Sequence, residues 1–310
     1  MYSKEMMILK FLDLFAGVGG FRLGLEMAGH ECVGHSECDP FCNKCGEITL
    51  HKNHETLKDH SVCTVCGTPK KQYALASYYS MHKPKEEEYH ATDVRNIKPE
   101  DLPDFDILTG GFPCQSFSIA GKGGGFTDTR GTLFFEIMRI ARVRKPKYLF
   151  LENVKGLFSH DGGKTFGTIL STLWECGYDA EWQVCNSKNY GVPHNRERVF
   201  IVAQLRGGDY TRIFPIRYGK RKVNEIEISE RLRTNIAPIF KVAMSESTRR
   251  NIASGFYFRD LTPKEYFRLQ GFPDDYYERA SKVSSKNQLY KQAGNSVTVP
   301  VIYEIGRRLK

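Results

Sequence analysis

The sequence predicts an α/β fold built on an open, doubly wound sheet, and three observations predict it. Near the N-terminus an apolar run passes straight into a glycine-rich turn and then into an amphipathic helical pattern. The same alternation of short apolar runs with helical stretches returns in the middle of the chain. The residues best suited to chemistry, Cys114 and Glu152, stand where two such runs end, and ligands bind outside the carboxyl ends of strands in open α/β sheets.

Taken in order, Ile8 to Leu14 reads as a strand, Phe15 to Gly20 as the turn and Phe21 to Ala28 as a helix. Glycines let the backbone turn tightly and approach a ligand closely, with a helix N-terminus beyond them. The turn does not follow the strict G-x-G-x-x-G spacing, so no dinucleotide is specifically implied. Cys32 to Ser36 is a second strand ending at Glu37, at about the spacing where an acidic residue meets ribose hydroxyls, with Asp39 as a competing candidate. These features predict an adenosine-containing ligand.

Beyond Pro40 the pattern is interrupted by a polar, lysine-rich segment extending to about Tyr89. It holds Cys42 and Cys45, then Cys63 and Cys66, as two C-x-x-C pairs. That spacing matches a closed four-thiolate structural zinc site, a zinc ribbon. Redox chemistry, or a site in which His51, His54 or His60 replaces one thiolate, remains an alternative. The charged stretch Lys83 to Glu88 reads as a linker.

The rhythm resumes at Phe105 to Leu108, a buried strand broken by Gly110, Gly111 and Pro113 just before Cys114. A helix from about Thr132 to Arg144 leads to the strand Lys147 to Leu151, which delivers Glu152 to the same crevice. A carboxyl in an enclosed pocket has a raised pKa and can donate a proton. Arg196 and Arg198 precede the strand Val199 to Ala203 and share one side of an extended segment, suited to phosphate or base oxygens. Gln292 to Val297 then forms a turn before a last helix, Pro300 to Leu309.

The bulk composition is consistent with this. The 310 residues, 40% hydrophobic, suffice for a full core with a smaller appendage, and the net charge of +9 favours a polyanionic partner. No apolar run approaches the ~20 residues of a membrane span, and the charged start lacks a secretion signal. The nine cysteines then fit a reducing, cytoplasmic or nuclear setting better than a disulfide scaffold.

Asp13 to Gly20, Pro113 to Gln115, Glu152 to Val154, Arg196 to Arg198, Arg259 to Pro273 and Gly294 to Val297, in that order, resemble the motifs of the DNA (cytosine-5)-methyltransferase family. The resemblance covers nearly all of the chain outside the cysteine insert and the segment from about Leu205 to Phe258. It implies a Rossmann-like S-adenosylmethionine-dependent methyltransferase fold. The implied activity is methylation of a cytosine flipped out of double-stranded DNA, with S-adenosylhomocysteine as the product of the methyl donor. Cys114 would be the nucleophile and Glu152 the group acting at N3. Arg198 would contact the cytosine, Arg196 the nearby backbone, and Asn295 would order the pocket.

By the same resemblance Phe15, Gly17, Gly19, Glu37, Asp93, Pro113, Leu133 and Val297 would line the cofactor site. His194 stands where the family usually carries glutamine. The expected domains are a catalytic domain to about Gln204 carrying the insert at 40–89, a small basic target-recognition domain from about Leu205 to Gly271, and a C-terminal segment, 272–310, returning to the catalytic domain. A monomer in a bacterial or phage-type cytoplasm is expected, as a restriction-modification or orphan modification enzyme, with a companion restriction endonuclease left open. The alternatives are a tRNA cytosine-5 methyltransferase and an inactive DNA-binding relative, the latter disfavoured by the retained Cys114, Glu152 and Arg198.

Overall fold

The structure, a computed structural model, describes residues 7–38, 66, 72–112, 133–216 and 260–310. Its strands are β1 (Lys10–Leu14), β2 (Glu31–Ser36), β3 (Tyr89–Ala91), β4 (Ile107–Gly111), β5 (Tyr148–Val154), β6 (Tyr178–Asn186) and β7 (Glu197–Leu205). They form one seven-stranded sheet in the order β3-β2-β1-β4-β5-β7-β6. β1 pairs in parallel with β2 and β4, β2 with β3, and β4 with β5. β7 inserts antiparallel between β5 and β6.

The described helices are α1 (Gly20–Met27), α2 (Tyr73–His82), α3 (Leu133–Arg144), α4 (Lys164–Glu175), α5 (Pro263–Leu269), α6 (Asp274–Ser281), α7 (Lys286–Asn295) and α8 (Val299–Gly306). Helices cover both faces of the sheet, which is why β1, β4, β5 and β7 carry apolar runs. Leu12, Leu108, Leu149, Leu151 and Ile201 bury one face against Phe134 and Ile137 of α3 and Ile169 and Leu173 of α4. Their neighbours Phe11, Ile107, Tyr148, Phe150 and Val202 point the other way, to Phe21 and Leu25 of α1 and Val301, Ile302 and Ile305 of α8. The period-2 alternation of a strand thus serves two cores.

The last residues lie against the turn after α1 and against β5. His30 Nε2 bonds the Gly306 carbonyl at 2.9 Å, and the Tyr148 hydroxyl donates to the Lys310 carbonyl at 2.8 Å. A third apolar cluster joins Val18 and Leu23 to Met81 of α2, Phe267 of α5, Ala280 of α6, and Leu289 and Ala293 of α7.

The stretch from Leu261 to Asp274 owes its composition to helix starts. Thr262 caps α5 through the Glu265 amide while the Glu265 carboxylate accepts from the Thr262 amide at 2.7 Å, and Pro263 occupies the first helical position. Arg268 then grips Asp274, at the start of α6, through two bonds of 2.8 and 2.7 Å.

Two features lie within the stretch read as an insert and its linker. Tyr73–His82 is a helix whose Ser77, Tyr78 and Met81 are buried. Glu88, at the end of the supposed linker, is buried and holds Arg22 of α1 through bonds of 2.7 and 2.9 Å. Among the described residues, no helix is long and apolar enough to cross a membrane.

Candidate active site

Two groups of residues meet at the carboxyl ends of the central strands. The first surrounds the turn after β1. Phe15, Gly17 and Gly19 all have left-handed backbones, with φ of 55°, 57° and 77°, a conformation natural to glycine and strained for phenylalanine. Among the described residues nothing lies within 4 Å of a Cβ placed on Gly17, so that side of the turn is bare among them. Glu37, just beyond β2, accepts a bond from the Gly17 amide at 2.7 Å. Val297 abuts the start of α1, where a Cβ on Gly20 would come within 2.7 Å of its side chain. Phe15 and Leu133 flank one apolar cluster.

Asp93 lies beside this group. The 91–93 segment runs along the end of β2, with the Glu37 amide bonding the Ala91 carbonyl at 3.3 Å and the Ser36 hydroxyl bonding the Thr92 carbonyl at 3.2 Å. Asp93 itself caps a short helical turn through the Arg95 amide and pairs with the Arg95 guanidinium. A bare glycine turn, a carboxylate beside it and apolar walls from Phe15, Leu133 and Val297 fit an adenosine-bearing ligand.

The second group lies one to three strands over, on β4, β5 and β7. Gly111 pairs with Glu152 across β4 and β5, and Glu152 pairs with Phe200 across β5 and β7. A Cβ on Gly111 would sit 3.3 Å from Glu152 Oε2, so the glycine leaves room for the carboxylate. Arg198 lies diagonally across β7, its Nε 3.1 Å from Glu152 Oε1. The contact is electrostatic and not a well-directed hydrogen bond, for Oε1 is buried with no aligned donor among the described residues. Burial pushes the Glu152 carboxyl above its ordinary value, against the opposing pull of Arg198 and Arg196.

Arg196, two residues before Arg198, turns to the C-terminal segment and donates from Nη2 to the Ser296 carbonyl at 2.9 Å. Burial, with the Arg198 charge added, lowers its pKa to about 10. Asn295 is the exposed last residue of α7, adjacent to that carbonyl. The segment is braced from below: Ser187 Oγ meets Thr298 Oγ1 at 2.7 Å, Thr298 bonds Gln270 Oε1 at 2.9 Å, and Gln270 Nε2 bonds the Ala293 carbonyl at 3.0 Å. His194 is shifted toward the neutral form by burial and by the arginines beside it.

Pro113 and Cys114 lie outside the described residues, as do Cys42, Cys45 and Cys63. Cys66 is described and exposed. Among the described residues no group of three or more histidines, cysteines or acids is arranged to hold a metal. Asn153 carries a role that the motif Glu152 to Val154 does not itself reveal. Buried beside Glu152, it donates from Nδ2 to the Phe112 carbonyl at 2.8 Å, fixing the backbone two residues before Cys114. Nothing in the linear sequence distinguishes it from an ordinary strand-end asparagine.

The family model described as C-5 cytosine-specific DNA methylase matches residues 9–65, 54–252 and 207–310. The chain belongs to that family. It is 33% identical to the type II methyltransferase M.NlaX of Neisseria lactamica, over 98% of this chain and 96% of that protein. Against the type II methyltransferase M.HhaI of Haemophilus parahaemolyticus the identity is 31%, over 99% and 97%. A crystal structure of S. pombe Dnmt2 methyltransferase shares the fold, with a TM-score of 0.63 at 19% identity over 96% and 97% of the two chains. The methylase family uses S-adenosylmethionine, and the bare turn with Glu37 beside it suits that ligand. As a member of this family the chain is a DNA cytosine-5 methyltransferase.

Proposed function

We propose that the enzyme methylates C5 of a cytosine swung out of double-stranded DNA through a transient bond between Cys114 Sγ and C6. What supports this most directly is the half-buried Glu152–Arg198 pair, set one strand away from the chain that leads into Cys114. S-adenosylmethionine supplies an electrophilic methyl group. C5 of cytosine is a poor nucleophile, so the Cys114 thiolate adds at C6 while Glu152 gives a proton to N3, leaving an enamine whose C5 takes the methyl. A base then removes the C5 proton, the C5–C6 double bond returns, the thiolate leaves and the N3 proton goes back to Glu152.

In this reading Arg198 steers the Glu152 carboxylate and touches the cytosine. Arg196, tethered to Ser296, faces the backbone near the flipped base, and Asn295 orders the pocket wall. Phe15, Gly17, Gly19, Glu37, Asp93, Pro113, Leu133 and Val297 receive the cofactor. Residues from about Leu205 to Gly271 serve target recognition, and 272–310 complete the catalytic domain.

The four thiols of Cys42, Cys45, Cys63 and Cys66 fit structural zinc by donor chemistry and spacing, and we assign that metal to the insert. The enzyme would work as a monomer in a bacterial or phage-type cytoplasm, in type II modification with or without a companion endonuclease.

A duplex library carrying 5-fluorocytosine tests the covalent step. Fluorine at C5 cannot leave as a proton does, so the wild-type protein should accumulate a protein–DNA adduct in the presence of S-adenosylmethionine. Cys114→Ser should accumulate none; an adduct of equal yield in that variant would refute the nucleophile.

A further inference from the structure

The cofactor turn is held from outside the sheet by α2, the helix that follows the cysteine segment. His82, the last residue of α2, places Nε2 3.0 Å from the Val18 carbonyl, between the two left-handed glycines of the turn. The approach is close enough that a Cβ on Gly19 would fall 2.1 Å from the same nitrogen. The imidazole is itself clamped, with Tyr78 at 4.8 Å and Tyr276 of α6 at 5.2 Å between ring centroids.

The rest of α2 is anchored on both sides. The Tyr78 hydroxyl accepts from Arg22 of α1 at 3.2 Å, and Arg22 continues to Glu88. On the other side Ser77 bonds Gln292 of α7 at 3.0 Å and Ser80 bonds the Arg279 carbonyl of α6 at 2.9 Å. The helix therefore forms a strut between the glycine turn and the C-terminal helices. The charged and titratable groups facing His82 are Arg22, Arg279, His35, Tyr78 and Tyr276. Burial, with Arg22, Arg279 and His35 acting in the same direction, takes its pKa down to about 3, so the ring is neutral at physiological pH. A neutral ring with Nε2 protonated donates to the carbonyl.

We infer that His82 is a positioning residue for the cofactor turn, its N–H holding the Val18 carbonyl so that the backbone from Gly17 to Gly19 keeps the conformation that receives S-adenosylmethionine. The inference rests on the turn being the cofactor site. It gives α2 a second task besides packing: the helix that follows the cysteines ends in the group that sets the turn.

The test is a calorimetric titration of the full chain with S-adenosylhomocysteine, alongside steady-state methyl transfer. His82→Leu, which fills the space without a donor, should weaken binding about tenfold, the worth of one buried hydrogen bond. It should raise KM for S-adenosylmethionine similarly while kcat at saturation stays within about twofold, since the turn is not among the reacting groups. His82→Gln, whose amide nitrogen reaches about as far as Nε2, should restore most of the affinity, and a purely structural role would not predict that rescue. Should His82→Leu fail to fold, the comparison of His82→Gln with His82→Asn, one bond shorter, carries the test. Binding by His82→Leu as tight as wild type, or His82→Gln no better than the variant lacking a suitably placed donor, would overturn the inference. Failure of the wild-type protein to bind would overturn the cofactor reading itself, and the wild-type titration separates the two.

Discussion

Glu152 and Arg198 stand 3.1 Å apart on adjacent antiparallel strands, the carboxylate largely buried and the guanidinium lying diagonally across from it. Burial raises the Glu152 pKa while Arg198 and Arg196 pull it down. The opposition keeps the carboxyl protonatable yet oriented. Glu152→Gln, which preserves shape without a transferable proton, should lower kcat by about 10²–10⁴ with S-adenosylhomocysteine binding unchanged. Arg198→Met removes the nearest cation, so the Glu152 pKa should rise further. Activity that requires the protonated acid is lost as pH rises through that pKa, and the alkaline limb of kcat/KM should therefore move to higher pH. A pH–rate series on both variants reads this out; an unmoved limb in Arg198→Met would detach the arginine from the carboxyl.

Asn153 contributes without touching substrate. Its bond to the Phe112 carbonyl is buried, and Asn153→Ala removes that bond. The expected cost is about 0.5–1.5 kcal/mol of stability, the net worth of one hydrogen bond, seen in a denaturant melt. Turnover should fall too, because the chain entering Cys114 loses its anchor. A melt unchanged from wild type would contradict the anchoring role.

Asp13, on β1 before the glycine turn, is fully buried and bonded by the Thr109 hydroxyl at 2.7 Å. Burial raises its pKa to about 7, against the Thr109 bond and the Arg22 charge. In the unfolded chain an aspartate titrates near ~4. The folded state thus holds this proton more tightly, and the stability it confers is complete below about pH 4 and lost progressively as pH rises to about 7. Asp13→Asn cannot titrate, so its melting temperature should lack this component of the decline. Parallel melts from pH 5 to 8 that fall equally in both proteins would exclude Asp13 as the source.

For the cysteine insert, elemental analysis of protein purified without added metal should give about one zinc per chain. Cys45→Ser and Cys63→Ser should each lose it. A folded, active, zinc-free wild-type protein would refute the assignment.

Much of the catalytic frame was legible because its signals are local. The run from Ile8 into Phe15–Gly20 specifies strand, turn and helix by apolar pattern and glycine alone, and β1 with α1 occupies that stretch. Glu37 was legible by spacing, and the structure adds that its carboxylate reaches the Gly17 amide. Helix α2 was not, for Tyr73–His82 has no clear apolar stripe and follows a lysine-rich segment. It is stabilised by partners far along the chain, such as Gln292 and Arg279. His82 was hidden for the same reason, since its partner Val18 is 64 residues away. β6 mixes polar and apolar residues and takes its place by pairing with β7, a long-range fact.

The most direct measurement is transfer of labelled methyl from S-adenosylmethionine to mixed-sequence double-stranded DNA and, in parallel, to tRNA, with the modified base identified by mass. Label should be recovered as 5-methylcytosine in DNA and abolished by Cys114→Ser. Label confined to tRNA, or methylation of DNA at any other atom, would contradict the assignment.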